Sequence, residues 1–308
     1  MLSGVRKSVR WLLVLTGALL LIGLYLLLTS HRAFALDETG CLQCHGTPGL
    51  SKTGPSGQTI SLYVSEARVN TAAHRYIDCT SCHTSKPHET AITLNKQTQA
   101  EKCGTCHSYQ YKLHAQSIHG QQLRQGVTEV ASCLDCHSAE NNPHAVIRVL
   151  EYSAPTYKKN IAGTCAQCHA QEDLMATFGI VEKVYESYMR SFHGKATALG
   201  TYKTTELDKA TCTNCHGVHD IKSVSDPSSP VAGMENLTKT CVSCHPGAGP
   251  EFVSGFLGHK EASPRYVPAA HYTEILFTTL LISVITFGII VVLLAVRKYI
   301  ANRWKETL

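Results

Sequence analysis

Two long apolar segments interrupt an otherwise polar chain of 308 residues. They run from Trp11 to Leu28 and from Ile275 to Val296 without a charged residue. Each is close to the about 20 residues that a helix needs to cross a bilayer. The pattern predicts a membrane-spanning helix near each end of the chain, with a polar region at residues 36–270 between them.

The polar region shows helical periodicity at only a few places. From Ile180 to His193 the apolar residues recur on one helical face, and Gly194 marks the predicted end. This predicts the longest helix of the region, and a second, shorter helix runs from Tyr109 to His119. Convincing strand patterns are few, and proline, serine and glycine predict loops at 46–58 and 226–233. The predicted fold class is mainly α-helical with much irregular structure.

Basic residues flank the two apolar segments on their outer sides. They are Arg6, Lys7 and Arg10 before the first, and Arg297, Lys298, Arg303 and Lys305 after the second. The positive-inside rule therefore places both ends in the cytoplasm and the polar region outside. These flanks also account for the net charge of +5, so the charge does not indicate nucleic-acid binding. Ala33-Phe34-Ala35 has the form of a signal-peptidase site, and both cleavage after Ala35 and retention of the first segment remain open.

All 14 cysteines belong to seven Cys-x-x-Cys pairs, and a histidine follows every pair. Numbered in chain order, the motifs are Cys41-x-x-Cys44-His45, Cys79-x-x-Cys82-His83, Cys103-x-x-Cys106-His107, Cys133-x-x-Cys136-His137, Cys165-x-x-Cys168-His169, Cys212-x-x-Cys215-His216 and Cys241-x-x-Cys244-His245. Such a motif attaches haem c: the cysteines form thioethers with the two vinyl groups, and the histidine is the proximal iron ligand. The sequence predicts seven covalently bound haem groups.

Other uses of cysteine fit this pattern poorly. Disulfides need no histidine, and a zinc ribbon takes two pairs at a time and would leave the seventh unused. A thioredoxin-like site needs a single pair in a βαβ unit. Seven haems leave about 34 residues each, too few for a conventional core beside them. We therefore expect the haems themselves to form the core.

Seven further histidines supply one candidate distal ligand for each iron: His74, His88, His119, His144, His193, His219 and His259. One group follows odd-numbered motifs in helix-like stretches, twice as Ser-x-His-Gly at His119 and His193, and His259 fills this slot after the seventh motif. The other group lies close behind even-numbered motifs. Axial ligation by two histidines at every haem suits electron transfer, because no coordination position is open to substrate. The sequence leaves the pairing of distal histidines with haems open.

Three histidines and three methionines lie outside this ligand count. We expect His114, which stands where the next repeat has Tyr188, to pack or to donate a hydrogen bond. His31 and His271 border the apolar segments, where they are either ordinary interface residues or proton acceptors. Met175, Met189 and Met234 are alternatives to a histidine at any one haem.

The chain resembles the membrane-anchored multihaem c-type cytochromes of bacterial respiratory chains. The resemblance rests on the seven motifs, the Ser-x-His-Gly segments, Cys215-His216-Gly217-Val218-His219 and the entry His271-Tyr272 into the C-terminal segment. It is also similar in outline to the NapC/NirT quinol dehydrogenases, which have four haem motifs and a single N-terminal anchor. The resemblance implies an electron-transfer subunit that connects the quinone pool, menaquinone included, to periplasmic carriers. Its implied membrane partner is a cytochrome b or another quinone-reactive subunit, because neither apolar segment contains a histidine to hold a haem.

These inferences predict three regions in the bacterial cytoplasmic membrane. Residues 1–35 are an anchor or a signal peptide, 36–270 a periplasmic heptahaem domain, and 271–308 a transmembrane helix with a basic cytoplasmic tail. One alternative is a quinol dehydrogenase in its own right, with candidate residues His31, Arg265, Tyr266, His271 and Glu274. The other is a terminal reductase with one open haem, for which the ligand count provides no vacancy.

Overall fold

The computed structural model describes residues 17, 19–22, 24–25, 40–54, 56–83, 88, 95–180, 183–199, 209–256, 258–260 and 263–306. It is mostly helical, with 57% helix and 2% strand. The first apolar segment is described at only seven positions, which are helical. His31, Ala35 and the possible cleavage site lie outside the described residues. So do the first basic flank, which consists of Arg6, Lys7 and Arg10, and residues 307–308.

The helices of the polar region are short. In chain order they are α1 (Cys41–His45), α2 (Glu66–Thr71), α3 (Cys79–Cys82), α4 (Lys96–Gly104), α5 (Ser108–Gln116), α6 (Ile118–Arg124), α7 (Cys133–His137), α8 (Ile161–His169), α9 (Glu172–Thr177), α10 (Val184–Arg190), α11 (Phe192–Leu199), α12 (Cys212–His216), α13 (Gly233–Val242) and α14 (Pro250–Ser254), with one 3₁₀ turn at Pro143–Ala145. A small antiparallel hairpin joins β1 (Ser51–Thr53) to β2 (Thr59–Ser61), with Ser51 opposite Ser61. The expectation of a mainly helical chain with much irregular structure is confirmed in these coarse terms.

The two long helices predicted for the polar region are wrong in their extent. Each stretch consists of two helices that meet at a serine: α5 and α6 meet at Ser117, and α10 and α11 meet at Ser191. Both serines have extended backbone, with ψ of 164° and 163°, which ends one helix before the next begins. Gly194 does not end a helix but is buried inside α11. The longest described helix of the region is α13, with 10 residues.

A single long helix ends the described chain. α15 (Pro268–Glu306) is 39 residues long, and every side chain from 272 to 303 is exposed. Its stretch Pro268–Arg303 is the one helix among the described residues that is long and apolar enough to cross a membrane. Lipid around this stretch would explain why so apolar a surface has no protein cover.

The polypeptide of the polar region buries little apolar surface of its own. Among the described residues, only nine hydrophobic side chains are buried, and five of them are alanine or methionine. One cluster, Ala100 with Leu123 and Val130, joins α4 to α6 and to the segment before α7. Large apolar side chains are exposed instead, such as Phe192 at 92% and Leu150 at 86%. The described part of the polar region thus has only a small apolar core of its own.

Candidate metal centres

Seven pairs of histidine rings organise the polar region. Each motif histidine faces one of the seven candidate distal histidines, and each of these is used once. The pairs are His45 with His88, His83 with His144, His107 with His74, His137 with His219, His169 with His119, His216 with His259, and His245 with His193. Each motif histidine therefore has one candidate distal histidine opposite it in space, in agreement with the count of seven and seven in the sequence.

The spacing within the pairs is uniform. Ring centroids lie between 6.0 and 6.2 Å apart in all seven, although the interplanar angles run from 11° to 62°. Rings in direct contact would change their separation with their angle, as offset stacking and edge-to-face packing do. A metal ion between two imidazoles sets such a spacing, since two metal–nitrogen bonds of about 2.0 Å and two ring radii of about 1.1 Å add to about 6 Å. The histidine pairs thus fit an iron that takes two axial ligands from the protein.

The pairing follows a rule that the sequence left open. The distal histidines behind motifs 1, 3 and 5 face motifs 3, 5 and 7, so each reaches forward by two motifs. Those behind motifs 2, 4, 6 and 7 face motifs 1, 2, 4 and 6, so each reaches back. His259 therefore belongs with the backward group, and its assignment to the odd slot was wrong. We refer to His74, His119 and His193 as the forward histidines and to His88, His144, His219 and His259 as the backward histidines.

The forward histidines at 119 and 193 owe their position to the Ser-x-His-Gly sequence. The Ser117 hydroxyl donates a hydrogen bond to the carbonyl of His114 at 2.6 Å and accepts one from the Gly120 amide at 3.0 Å. The same side chain therefore bonds the last turn of α5 and caps the N-terminus of α6. Ser191 does the same between Tyr188 and Gly194, at 2.6 and 3.2 Å. In both copies the histidine comes two residues after the cap, in the first turn of the new helix.

The glycine of this sequence permits a close backbone approach. A Cβ at Gly120 would lie 1.9 Å from the His114 carbonyl oxygen, and one at Gly194 would lie 2.0 Å from that of Tyr188. A rigid backbone atom cannot yield as a side chain would. Neither glycine has positive φ, so an unusual backbone conformation is not the reason for glycine here. The close backbone contact is what requires it.

Alanine at Gly194 is expected to lower the stability of the holoprotein by about 1–3 kcal/mol, the usual cost of forced overpacking. Gly163→Ala is the matched control, because Gly163 is also helical and a Cβ there meets nothing within 4 Å. That control should be neutral or more stable by up to about 1 kcal/mol. Thermal unfolding followed by circular dichroism measures both, and equal midpoints for the two variants would contradict the assignment.

The backward histidines lie in short turns instead. Gly217, between His216 and His219, has φ of +83°, a backbone conformation that favours glycine. The Asn142 side chain accepts the backbone amide of His144 at 2.9 Å, and Ser187 Oγ lies 3.0 Å from His259 Nδ1. The last contact leaves Nε2 of His259 to face the partner ring.

Two backbone hydrogen bonds join forward to backward segments. The amide of Ala73, next to His74, donates to the carbonyl of Val146 at 2.7 Å, two residues after His144. The amide of Ile118, next to His119, donates to Ile221 at 2.8 Å, two residues after His219. The first bond therefore connects the segments of the candidate distal ligands for motifs 3 and 2. The second connects those for motifs 5 and 4.

The motifs themselves alternate in their place on the helices. Motifs 2, 4 and 6 begin a helix, and motifs 3, 5 and 7 end one. Ser132 and Thr211 stand before motifs 4 and 6 as N-caps, and their amides donate to Asp135 and Asn214 inside the motif. This capping box keeps the first cysteine at the start of the helix.

Sequence reasoning missed the residues that hold motifs 5 and 7. Thr164 and Thr240, directly before the first cysteine, donate to the carbonyls of Pro155 and Pro230 at 2.7 and 2.8 Å. Asn160 and Asn236, four residues earlier, bind two carbonyls each in the same loops. The signal was present as an Asn-x-x-x-Thr-Cys repeat.

The histidines outside the pairs have local roles. His114 Nε2 lies 3.1 Å from the carbonyl of Ala131, and the Tyr188 hydroxyl donates to Ala210 at 3.0 Å, each two residues before an even-numbered motif. The expected hydrogen bond of His114 and its equivalence to Tyr188 are confirmed. His271 packs edge-on against Tyr272 within α15, at 5.4 Å. Every described motif histidine already faces a histidine, so the geometry does not favour Met175, Met189 or Met234 as ligands.

The cysteines of consecutive motifs lie near one another. None of the 14 forms a disulfide, and a side-chain hydrogen bond joins Cys103 of motif 3 to Cys133 of motif 4. The same bond joins Cys165 to Cys212. The remaining consecutive motifs lie close enough to interact electrostatically, through His83 and His45, Cys82 and Cys103, Cys136 and Cys168, and Cys215 and Cys241. The motifs thus follow one another in space in their sequence order.

Burial favours the neutral form of several of the paired rings. Burial, followed by the charges of the neighbouring His169 and His114, lowers the pKa of His119 to about 4. Burial is also the main cause of the lowered pKa of His137, His169 and His216. Neutral imidazole is the form that binds a metal, so these rings are ready to act as ligands near neutral pH.

Comparison with protein-family models, curated proteins and solved structures found no match to this chain.

Proposed function

We propose that the chain is a heptahaem c-type cytochrome, with axial histidines on both faces of every iron, that transfers electrons at a bacterial membrane. The observation that carries the proposal is the uniform spacing of seven histidine pairs, each with a Cys-x-x-Cys pair attached to one of its members. Each motif would hold its haem by two thioethers, and the bound haem would supply one-electron chemistry. The exposed apolar side chains beside the pairs, such as Phe192 and Val218, would then be covered by porphyrin.

The order of the motifs supports a role in conduction. The proximity of every consecutive pair of motifs would put seven haems in one continuous row. Two histidines per iron leave no position for a substrate, so the chain's residues position and insulate the haems without taking part in substrate chemistry. This favours electron transfer over the terminal-reductase alternative.

The ends of the row would be its points of exchange. α15 begins nine residues after His259, so motifs 6 and 7 are the ones tied most directly to the membrane helix. We propose that the haem region lies on the periplasmic side and exchanges electrons with a quinone-reactive membrane subunit, such as a cytochrome b, and with periplasmic carriers. Motif 1, at the other end of the row, would be the second point of exchange.

Spectroscopy of the purified full chain in detergent tests the proposal. We expect a pyridine haemochrome corresponding to seven haem c groups per chain and low-spin ferric resonances only. The reduced protein should bind no carbon monoxide, since no iron is open. Fewer than seven haems, or a high-spin haem that binds carbon monoxide, would overturn the proposal at the sites concerned.

A second measurement on the same sample distinguishes an electron-transfer subunit from the quinol-dehydrogenase alternative. If the single subunit only conducts, a menaquinol analogue will leave its haems oxidised until the membrane partner is added. Rapid haem reduction by the quinol alone would favour the alternative.

A further inference from the structure

The seven histidine pairs fall into two groups by the angle between their ring planes. The four pairs made by backward histidines are nearly parallel, with angles of 12°, 14°, 11° and 16°. The three made by forward histidines are strongly tilted, with angles of 48°, 62° and 38°. No pair falls between the groups, and the division coincides with the direction in which the distal ligand reaches.

The backbone explains this coincidence for two of the three forward histidines. His119 and His193 enter their sites just after a sharp break between two helices, at Ser117 and Ser191. His74 instead follows the end of α2 at Ala72, where ψ is 161°, and lies in a turn. The cap and the close glycine contact fix the direction of the new helix and so limit the rotation of the histidine ring. A backward histidine comes from a turn, where no helix constrains its plane.

Ring orientation changes the electronic structure of a low-spin ferric iron. Each imidazole donates π density to the iron d orbital perpendicular to its own ring plane. Parallel rings act on the same orbital and separate it in energy from its partner, whereas crossed rings act on both and leave them nearly degenerate. Parallel rings thereby stabilise the ferric state, which has the single vacancy in this orbital pair.

We propose that the protein contains two electronically distinct classes of haem, four with parallel and three with crossed axial ligands, and that Ser117 and Ser191 are positioning residues for the crossed class. The proposal rests on the proposed function, since it requires the haems. From motif 2 to motif 7 the two classes alternate, so successive sites along the row differ in potential. Each crossed haem takes up one electron, Fe(III) becoming Fe(II), at a higher potential than its parallel neighbours.

Electron paramagnetic resonance of the fully oxidised holoprotein tests the proposal without any variant. We expect two low-spin signals, one rhombic with three resolved components and one with a single large g value, in a ratio of four to three. During reductive titration with dithionite, the large-g signal should disappear first. One class only, a different ratio or the reverse order of reduction would overturn the proposal.

Two substitutions at one serine test the positioning role. Ser191→Ala removes the cap, and about a third of the large-g intensity should move to the other class. Ser191→Thr keeps the hydroxyl and should keep the native spectrum. Ser254→Ala is the control, because the Ser254 side chain is exposed and its one hydrogen bond among the described residues goes to the carbonyl of Glu251. An unchanged large-g signal in Ser191→Ala would overturn the role of Ser191.

A haem count by pyridine haemochrome accompanies every sample. A count below seven in the unmodified chain would contradict the proposed function. Seven haems with one spectral class would contradict only the present inference. The two failures are therefore distinguishable.

Discussion

The chain without haem is expected to lose most of the helix in its polar region. The reason lies in the helices themselves, which span 4 to 10 residues there. Isolated helices shorter than about 12 to 15 residues are marginal in water. The nine buried hydrophobic side chains of the described residues, four of them alanine, offer too little apolar area to replace the missing porphyrin contacts. Far-ultraviolet circular dichroism of the full chain, produced in cells without haem attachment, measures the loss.

The C-terminal helix provides an internal control for this experiment. α15 makes all its hydrogen bonds within one segment and lies in detergent, so it should persist in the haem-free chain. We expect the polar region to be digested by protease at once and the α15 segment to survive. A haem-free chain that keeps native helicity and melts cooperatively would show that the polypeptide has a sufficient core of its own.

Replacing His259 by alanine is expected to open one iron, that of motif 6. The ring of His259 lies 6.1 Å from that of His216, and Ser187 beside it cannot replace an imidazole as ligand. The variant should keep seven haems, show one high-spin ferric signal and bind one carbon monoxide per chain when reduced. Difference absorption spectroscopy measures the adduct.

Two further variants establish which haem has opened. His271→Ala is the matched control, because His271 contacts Tyr272 and faces no motif histidine, so no adduct should form. Removing motif 6 by Cys212→Ala and Cys215→Ala should abolish the adduct of the His259 variant, since the open haem is then absent. If the adduct is lost only when motif 7 is removed instead, the pairing of His259 with His216 is incorrect.

The set of paired histidines could be predicted from the sequence, whereas the pairing could not. The spacing within a motif is a local feature of the sequence. Cys212, Cys215 and His216 can therefore be recognised without knowledge of the path of the backbone. The partner of His216 comes from another motif, and its identity depends on how the backbone returns after motif 7. His259 was misplaced for this reason: its distance along the chain resembled the forward histidines, but it lies in a turn.

The hydrophobic periodicity also could not predict the breaks in the two helical stretches. The apolar face from Ile180 to His193 continues through Ser191, and nothing in that pattern reports a change of backbone direction. What decides the break is a hydroxyl that bonds both ways and a glycine three residues later. Both residues were visible as part of a repeat, but their mechanism required the distances.

The forward and backward reach of the distal histidines has a consequence for synthesis, on the proposed ligation. A chain emerging from its N-terminus would close haems 3, 5 and 7 at once, because His74, His119 and His193 precede those motifs. Haems 1, 2, 4 and 6 must wait for histidines that emerge later. From the moment His45 receives its haem until His259 appears, at least one iron in the growing chain would be open to oxygen and other small molecules. Protection of these irons during export would then be part of the work of the machinery that attaches them.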